Sequence, residues 1–189
     1  MEINEAVPEY KRHTYADYIS WDDSERCELI DGVIYAMSAP SWQHQLISGK
    51  LFNQIANSLT GKPCVVFNAP FDVRLNADSN DDTVVQPDIV VICDRLIIGG
   101  TGCIGTPDML IEILSPSSKS HDKLRKLKLY QNYGVKEYWI VNPEIKTVSK
   151  HILDNGRYNI THYDKTEQAP ISVLEGCSIS LPEVFEEWK

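Results

Sequence analysis

Two stretches of the chain decide its fold: QPDIVVI, residues 86–92, and DMLIEIL, residues 108–114. Each is dominated by consecutive apolar residues, which is the pattern of a buried β-strand. Each also carries a carboxylate in or beside that run, Asp88 in the first and Glu112 in the second. An ionised carboxylate is costly to bury unless something compensates it. These two acids are therefore the first residues that require a physical explanation.

The rest of the chain predicts strands arranged around two main helices. The helices are predicted over residues 41–59 and 120–133. Hairpins are predicted at Asp31-Gly32, where both turn residues tolerate positive φ, and across Asp154-Asn155-Gly156. The two acid-bearing strands are predicted over residues 84–93 and 109–114. Further strand candidates cover residues 64–67, 71–75 and 135–141, with short helices at 14–21 and 181–188. The segment 99–102 is predicted to be a flexible glycine loop, and 115–118 a turn. This order predicts an α/β or α+β fold with a central mixed sheet flanked by helices and extra antiparallel hairpins.

Composition narrows the class of protein. The chain has 189 residues, which fits one domain over residues 1–189, and its 18 basic and 27 acidic residues give a formal charge of −9. It has no overall basic excess of the kind that nonspecific nucleic-acid binding usually shows. No apolar run is long enough to predict a membrane span, and the N-terminus lacks the pattern of a secretory signal. The scattered cysteines, among them Cys27, Cys64 and Cys93, are interpreted as small buried side chains in a reducing cytoplasm.

The helix after the second acidic strand carries a cluster of basic residues from Lys119 to Lys128. A solvated helix face is the simplest explanation for the cluster as a whole. At 100° per residue, however, Lys126 falls within the stripe that contains Tyr130 and Tyr133, whereas Arg125 and Lys128 point away from it. A core-directed ammonium needs an anion, and the helix begins soon after Glu112. We therefore predict that Lys126 returns to Glu112.

Two core carboxylates and an inward lysine can compensate one another, or they can hold a cation. Mg²⁺ prefers oxygen ligands and typically takes one or two carboxylates together with phosphate and water. Asp88 and Glu112 would supply the carboxylates, and the adjacent carbonyl of Ile113 is a possible backbone ligand. Lys126 would then orient an attacking water or stabilise charge that develops on a phosphate.

These motifs, taken in order, resemble the putative restriction endonuclease family abundant in cyanobacteria, which belongs to the PD-(D/E)XK nuclease superfamily. The resemblance runs from about residue 28 to residue 186. It rests on QPDIVVI, IEILSPSS, the helix with Asp122, Lys126 and Tyr130, and GVKEYWIVNP, together with CELIDGVIYAMS, QHQ and LPEVFE. It implies a central mixed sheet with flanking helices and a phosphodiesterase site that uses a divalent metal, Mg²⁺ or Mn²⁺.

The resemblance carries over residue by residue. Pro87-Asp88 matches the PD element, so it implies that Asp88 is the main metal ligand, and Glu112 matches the second acid. The position of the motif lysine is Leu114 in this chain, and the resemblance implies that the lysine comes from the following helix, at Lys126. Glu28 and His44 match family positions near the site and are implied as accessory ligands or proton carriers.

Each of these residues also has a structural interpretation. Asp88 could cap a loop after proline, and Glu112 could form an ion pair with Lys126 and nothing more. Lys126 could extend to solvent along the tyrosines, His44 could be structural, and Glu28 could be an exposed strand residue.

The sequence thus favours a metal-dependent endonuclease that hydrolyses DNA, with a noncatalytic binding module of the same fold as the alternative. A serine hydrolase lacks a supporting motif, because Ser115 and Ser117 read as turn and cap residues. A homodimer is expected, because cutting two strands often requires two active sites.

Overall fold

The structure, a computed structural model, describes residues 11–21, 26–78, 80–115 and 120–186, with only the backbone of residues 120–123. Its helices are α1 (Tyr15–Tyr18), α2 (Trp42–Ser58), α3 (Ser120–Asn132) and α4 (Leu181–Val184), with a 3-10 turn at Arg95–Ile97. The strands are β1 (Cys27–Ile30), β2 (Val33–Ala36), β3 (Val65–Asn68), β4 (Asp72–Arg74), β5 (Val84–Val85), β6 (Ile89–Ile92), β7 (Ile98–Gly99), β8 (Gly102–Ile104), β9 (Met109–Ile113), β10 (Glu137–Asn142), β11 (Thr147–Asp154), β12 (Arg157–Asp164), β13 (Gln168–Pro170) and β14 (Ser178–Ser180).

The strands form two six-stranded sheets and one two-stranded ribbon. The first, which we call the site sheet, has the order β12-β11-β10-β9-β6-β3, and the second has the order β2-β1-β5-β4-β8-β7. In the site sheet β9 and β10 run parallel and are joined through α3, while the other neighbours are antiparallel. The predicted class is confirmed: this is a mixed α+β fold with helices against the sheets.

Both faces of the site sheet are covered, which explains why its central strands are apolar throughout. On one face Ile111 and Trp139 pack with Ile47 and Leu51 of α2 and with the C-terminal segment. On the other face Leu110 and Tyr138 pack with α3 and with residues of the second sheet. All four residues of β6 are completely buried. A carboxylate beside this sheet therefore lies next to a closed apolar core on either side.

Local sequence signals fixed several elements at the predicted places. The Asp31-Gly32 turn joins β1 to β2 with φ values of 50° and 76°, and Asn155-Gly156 joins β11 to β12 with φ values of 47° and 78°. Positive φ at both central residues gives the turn whose twist matches the paired strands. Ser41 caps α2, because its side chain accepts a hydrogen bond from the amide of His44.

Other predicted elements need correction. Pro87 has no amide hydrogen, and the predicted strand 84–93 divides around it into β5 and β6, which belong to different sheets. The predicted glycine loop at 99–102 is the tight hairpin of β7 and β8. The terminal helix ends at Val184, and the β13–β14 ribbon was not predicted. The predicted turn at 115–118 extends outside the described residues.

The cysteine prediction was wrong for one pair. Cys64 and Cys93 form a disulfide, whereas both were interpreted as small buried side chains. They flank the antiparallel pair β3–β6, whose register places Val65 opposite Ile92. Sequence spacing gave no signal for this pairing, since the two cysteines are 29 residues apart and meet only when the strands pair.

Within the residues that the structure describes, no helix is long and apolar enough to cross a membrane.

Candidate active site

The pairing of β6 with β9 determines where the two acids meet. Ile89 lies opposite Ile111 in this antiparallel pair, so Asp88, one residue before β6, lies level with Glu112. Side chains alternate between the two faces of a strand, so Glu112 shares the face of Leu110, toward α3. The register therefore places Asp88 and Glu112 at neighbouring positions of adjacent strands.

The backbone of Ile113 faces Asp88. The Ile113 amide donates to Oδ2 of Asp88 at 2.7 Å, while the amide of the next residue, Leu114, donates to Val141 of β10. Because the N–H and C=O of one strand residue point to the same side, the Ile113 carbonyl also lies on the Asp88 side of β9. This carbonyl is thus aimed at the end of β6, where the strand ladder has stopped.

Lys126 of α3 lies at the centre of a buried ion-pair network. Its Nζ donates to Oε1 of Glu112 and to Oε1 of Glu28, both at 2.8 Å, and the side chain is 9% exposed. Tyr130, one helical turn further on, donates its hydroxyl to Oε1 of Glu112 at 2.8 Å. Glu28 also accepts a hydrogen bond from the amide of Gln86 at 2.9 Å. The helical wheel therefore oriented Lys126 and Tyr130 correctly, and Glu28 is buried rather than exposed.

His44 approaches the site from the first turn of α2, on the opposite side from α3. Its Nε2 donates to Oδ2 of Asp88 at 3.1 Å. Burial opposes protonation of the ring, but the hydrogen bond to Asp88 and its charge raise the pKa of His44 above the usual value. The Ile113 backbone acts in the same direction. The structure thus assigns His44 to the Asp88 side of the site.

The buried charges of the site shift one another's pKa values. Burial raises the pKa of Glu112 to about 7, against the opposing effect of Lys126, and the carboxylates of Asp88 and Glu28 act in the same direction as burial. Burial alone would lower the pKa of Lys126, but the charges of Glu112 and Glu28 outweigh it and raise that pKa. Three carboxylates therefore line the cavity with Lys126 and Arg26, and Lys126 contacts two of these acids.

These residues line a cavity of about 210 Å³, together with Arg26, Tyr35, Asn68 and other side chains. The side chains of Asp88 and Glu112 are 16% and 15% exposed, respectively. The hydrogen bonds described for the two carboxylates go to Oδ2 and Oε1. Both carboxylates also line the cavity, where a ligand can reach them.

The oxygen donors fit a hard divalent cation. Asp88, Glu112 and the Ile113 carbonyl together offer the donor set that Mg²⁺ takes when phosphate and water complete its coordination. Across the described ranges, no group of three or more His, Cys, Asp or Glu side chains is arranged to hold a metal ion. A metal here would therefore depend on the backbone carbonyl and on ligands from outside the chain.

The other basic side chains of the predicted cluster lie in different surroundings. Lys128 is exposed, as the wheel predicted, whereas Arg125 lies 3.6 Å from the ring centroid of Tyr35, beside the cavity. The side chains of Lys119 and Lys123 lie outside the described residues. Sequence reasoning missed Arg26, Tyr35 and Asn68, because each reaches the site from a strand or strand end distant in sequence. The hydrogen bond from Tyr130 to Glu112 was also not predicted.

A solved structure shares the fold of this chain. A crystal structure of a putative nuclease belonging to DUF820 from Anabaena variabilis matches with a TM-score of 0.75. The alignment covers 91% of this chain and 97% of that one at 20% identity, so the likeness concerns the fold. An uncharacterized protein of Synechocystis sp., slr1290, is 28% identical over 173 residues, covering 89% of each sequence.

The family follows from the match over residues 15–182 to the Uma2 model, described as a putative restriction endonuclease. That match takes in most of the chain, including all six residues predicted to form the site. The chain therefore belongs to the Uma2 family of putative restriction endonucleases, and this family description indicates nuclease activity.

Proposed function

We propose that the protein is a metal-dependent endonuclease that hydrolyses phosphodiester bonds of DNA. One observation carries the proposal: Asp88 and Glu112 occupy neighbouring positions of β6 and β9 and line the same cavity. Buried acids of like charge are unfavourable side by side unless a cation offsets them. The Uma2 family match and the nuclease fold make a phosphodiester the expected substrate.

Asp88, Glu112 and the carbonyl of Ile113 would hold Mg²⁺ or Mn²⁺. The metal would polarise a phosphate oxygen and lower the pKa of a water molecule. His44 positions Asp88, because its Nε2 binds Oδ2 of that carboxylate. The amide of Ile113 fixes the same oxygen, so the orientation of this carboxylate is determined twice.

Lys126 would act on the substrate. An ammonium has three N–H donors, and two of them bind Glu112 and Glu28. The third can donate to a phosphate oxygen or to an attacking water, since Lys126 also lines the cavity. Glu28 is a positioning residue in this proposal, because it holds the lysine from the side opposite Glu112.

A noncatalytic binding module is the second candidate, and a specific observation favours it. The acids already form hydrogen bonds to Lys126, Tyr130, His44 and the Ile113 amide, and the described residues contain no three-ligand side-chain metal cluster. Such a network can be purely structural. The two candidates differ in metal affinity and in cleavage.

The test pairs a metal titration with a cleavage assay. Asp88→Asn and Glu112→Gln should each abolish Mg²⁺-dependent nicking of plasmid DNA at low salt and weaken Mn²⁺ binding measured by calorimetry. Both substitutions keep the size of the side chain and remove its charge, so circular dichroism should show an unchanged fold. Asp108→Asn is the matched control: Asp108 precedes β9 and bonds Lys136 and the Cys93 amide, outside the cavity.

Cleavage that persists in both variants would place the activity elsewhere. A wild-type protein that neither binds Mn²⁺ nor cleaves DNA would favour the binding module. Because one site faces one strand, we also propose that a homodimer makes the double-strand cut, which analytical ultracentrifugation with DNA would test.

A further inference from the structure

A second cavity adjoins the acidic one and has a different lining. It measures about 530 Å³, and its walls include Tyr18, Trp21, Phe71, Asp72 and Gln86. The volume lies within the range of small-molecule sites, roughly 300–1,000 Å³. Aromatic rings beside a few fixed polar groups are the surface that a planar, polar heterocycle requires.

The two cavities are neighbours along three separate stretches of chain. Arg26 lines both of them. Ala69 lines the acidic cavity, and the next residue, Pro70, lines the aromatic one. In the same way, Asp88 lines the acidic cavity, and Gln86, two residues earlier, lines the aromatic one. A ligand that occupies one cavity therefore needs to extend only a short distance to reach the other.

Hydrogen bonds hold the polar wall of the aromatic cavity in place. Oδ1 of Asp72 accepts from the hydroxyl of Tyr18 at 3.1 Å and from the side-chain amide of Gln86 at 2.9 Å. Oδ2 of Asp72 accepts from the hydroxyl of Thr101 at 3.1 Å. The Gln86 amide also donates to the Tyr18 hydroxyl at 3.1 Å. A wall fixed in this way loses little conformational freedom when a ligand binds.

Trp21 is also held in position while remaining partly exposed. Its ring meets Tyr18 edge-on at a centroid distance of 5.8 Å, and His13 edge-on at 5.3 Å. Phe71, on the far side, is stacked on Phe67 at 4.3 Å. Trp21 also lines the aromatic cavity, so part of its ring is accessible from there, and nucleobases stack on accessible aromatic rings.

Arg26 lies where the two cavities meet. Its Nε and Nη2 donate to Oε1 of Gln86 at 3.3 and 3.0 Å. A guanidinium has five N–H groups, so donors remain beyond those two hydrogen bonds. Arg26 is thus placed to bind a backbone phosphate between a base in the aromatic cavity and a phosphodiester in the acidic one.

We propose that the aromatic cavity is a nucleobase subsite that receives one unstacked base beside the bond to be cut, with Arg26 on the intervening phosphate. This proposal rests on the proposed function, because it takes a nucleic-acid strand as the ligand. It specifies the substrate further: the strand is single, or it is locally unpaired at this nucleotide.

The experiment compares two strands that differ only in their bases. A short fluorescein-labelled single-stranded DNA and a strand of equal length with abasic residues are titrated at low salt, with a chelator and again with Ca²⁺, and followed by anisotropy. The wild type should bind the base-bearing strand roughly 5- to 150-fold more tightly, the range for one base stacked on an aromatic ring. Trp21→Ala should remove that preference, and Trp21→Phe should retain part of it.

Trp42→Ala is the matched control, because Trp42 is an equally large side chain, 66% exposed, that lines a different cavity. The Trp42→Ala variant should prefer the base-bearing strand by the same factor as the wild type does. Arg26→Ala should weaken binding of both strands, with partial rescue by Arg26→Lys. The proposal is overturned if the wild type binds neither strand, binds both equally, or if Trp21→Ala weakens both by the same factor.

The outcome is separable from that of the endonuclease proposal. Base-dependent binding without cleavage would retain the subsite and reject catalysis. Metal-dependent cleavage without a preference for bases would retain catalysis and reject the subsite.

Discussion

At the scale of single residues, the site depends on how its buried charges are paired. Glu28, Glu112 and Asp88 contribute three carboxylates, whereas Lys126 is the ammonium that contacts two of them. Lys126 satisfies both glutamates through hydrogen bonds, so its removal would leave two acids buried without an opposite charge. The same lysine therefore contributes to folding as well as to the proposed chemistry.

Lys126→Met should lower the free energy of unfolding by about 3–5 kcal/mol at pH 8, because breaking a buried ion pair leaves uncompensated charge. Urea denaturation measures the loss. Lys128→Met, on the exposed face of the same helix, should change stability by less than about 0.5 kcal/mol. Equal effects of the two substitutions would contradict a buried role for Lys126.

Glu112 makes stability depend on pH. Its folded pKa of about 7 lies above the ordinary 4.5, so the folded state holds this proton more tightly than the unfolded state does. The stabilisation is complete below pH 4.5 and is lost as the pH rises through 7. Between pH 4.5 and 8 the metal-free wild type should therefore lose more stability than Glu112→Gln. His44, whose pKa is also raised, acts in the same direction in both proteins. Parallel pH profiles in urea melts would refute this assignment.

At the scale of elements, close backbone approach matters as much as hydrophobic pattern. The glycines of residues 99–102 predicted a flexible loop. The two glycines that lie in the strands of this hairpin, Gly99 and Gly102, differ in how closely other atoms approach them. A Cβ at Gly102 would lie 1.8 Å from the carbonyl oxygen of Asp72, whereas nothing lies within 4 Å of the corresponding position at Gly99. Gly102 is therefore required because β4 and β8 approach closely there.

Gly102→Ala should destabilise the protein by about 2 kcal/mol or more, since the clash involves backbone that cannot move aside without separating β4 from β8. Gly99→Ala, in the same hairpin, should lie within about 0.5 kcal/mol of the wild type. Thermal unfolding of the two variants side by side makes the comparison. A tolerated alanine at 102 would mean that the two strands can separate at little cost.

At the scale of the whole molecule, the chain passes from the site sheet to the second sheet and back. β3 and β6 belong to the site sheet, while β4 and β5, which lie between them in sequence, belong to the second. The Cys64–Cys93 disulfide joins the residue before β3 to the residue after β6, so it links the two ends of this segment. It therefore constrains the segment that links the two sheets and ends at Asp88.

Removing the disulfide should lower the free energy of unfolding by about 2–4 kcal/mol, because the unfolded chain regains the entropy of a loop of about 30 residues. A Cys64→Ala/Cys93→Ala variant and the wild type in reductant should both show the loss in urea denaturation. The double variant itself should not respond to reductant. A reductant effect of equal size in both proteins would assign the change to another cause.

The sequence by itself determined the features that depend on neighbouring residues. Asp31-Gly32 and Asn155-Gly156 specify their turns through positive φ, and Ser41 specifies the start of α2 through its hydroxyl. The spacing of Lys126 and Tyr130 oriented α3, because helical periodicity alone decides which side chains share a face. The apolar runs around Asp88 and Glu112 identified the central strands for the same local reason.

Only the tertiary structure decided what these elements meet. The contacts from Glu28 to Lys126, from His44 to Asp88, and between Cys64 and Cys93 join residues on different elements. The division of the strands into two sheets and the aromatic cavity beside Arg26 are likewise products of packing. Such contacts depend on strand register and on the way helices and sheets pack, and neither is encoded in the spacing of residues along a single segment.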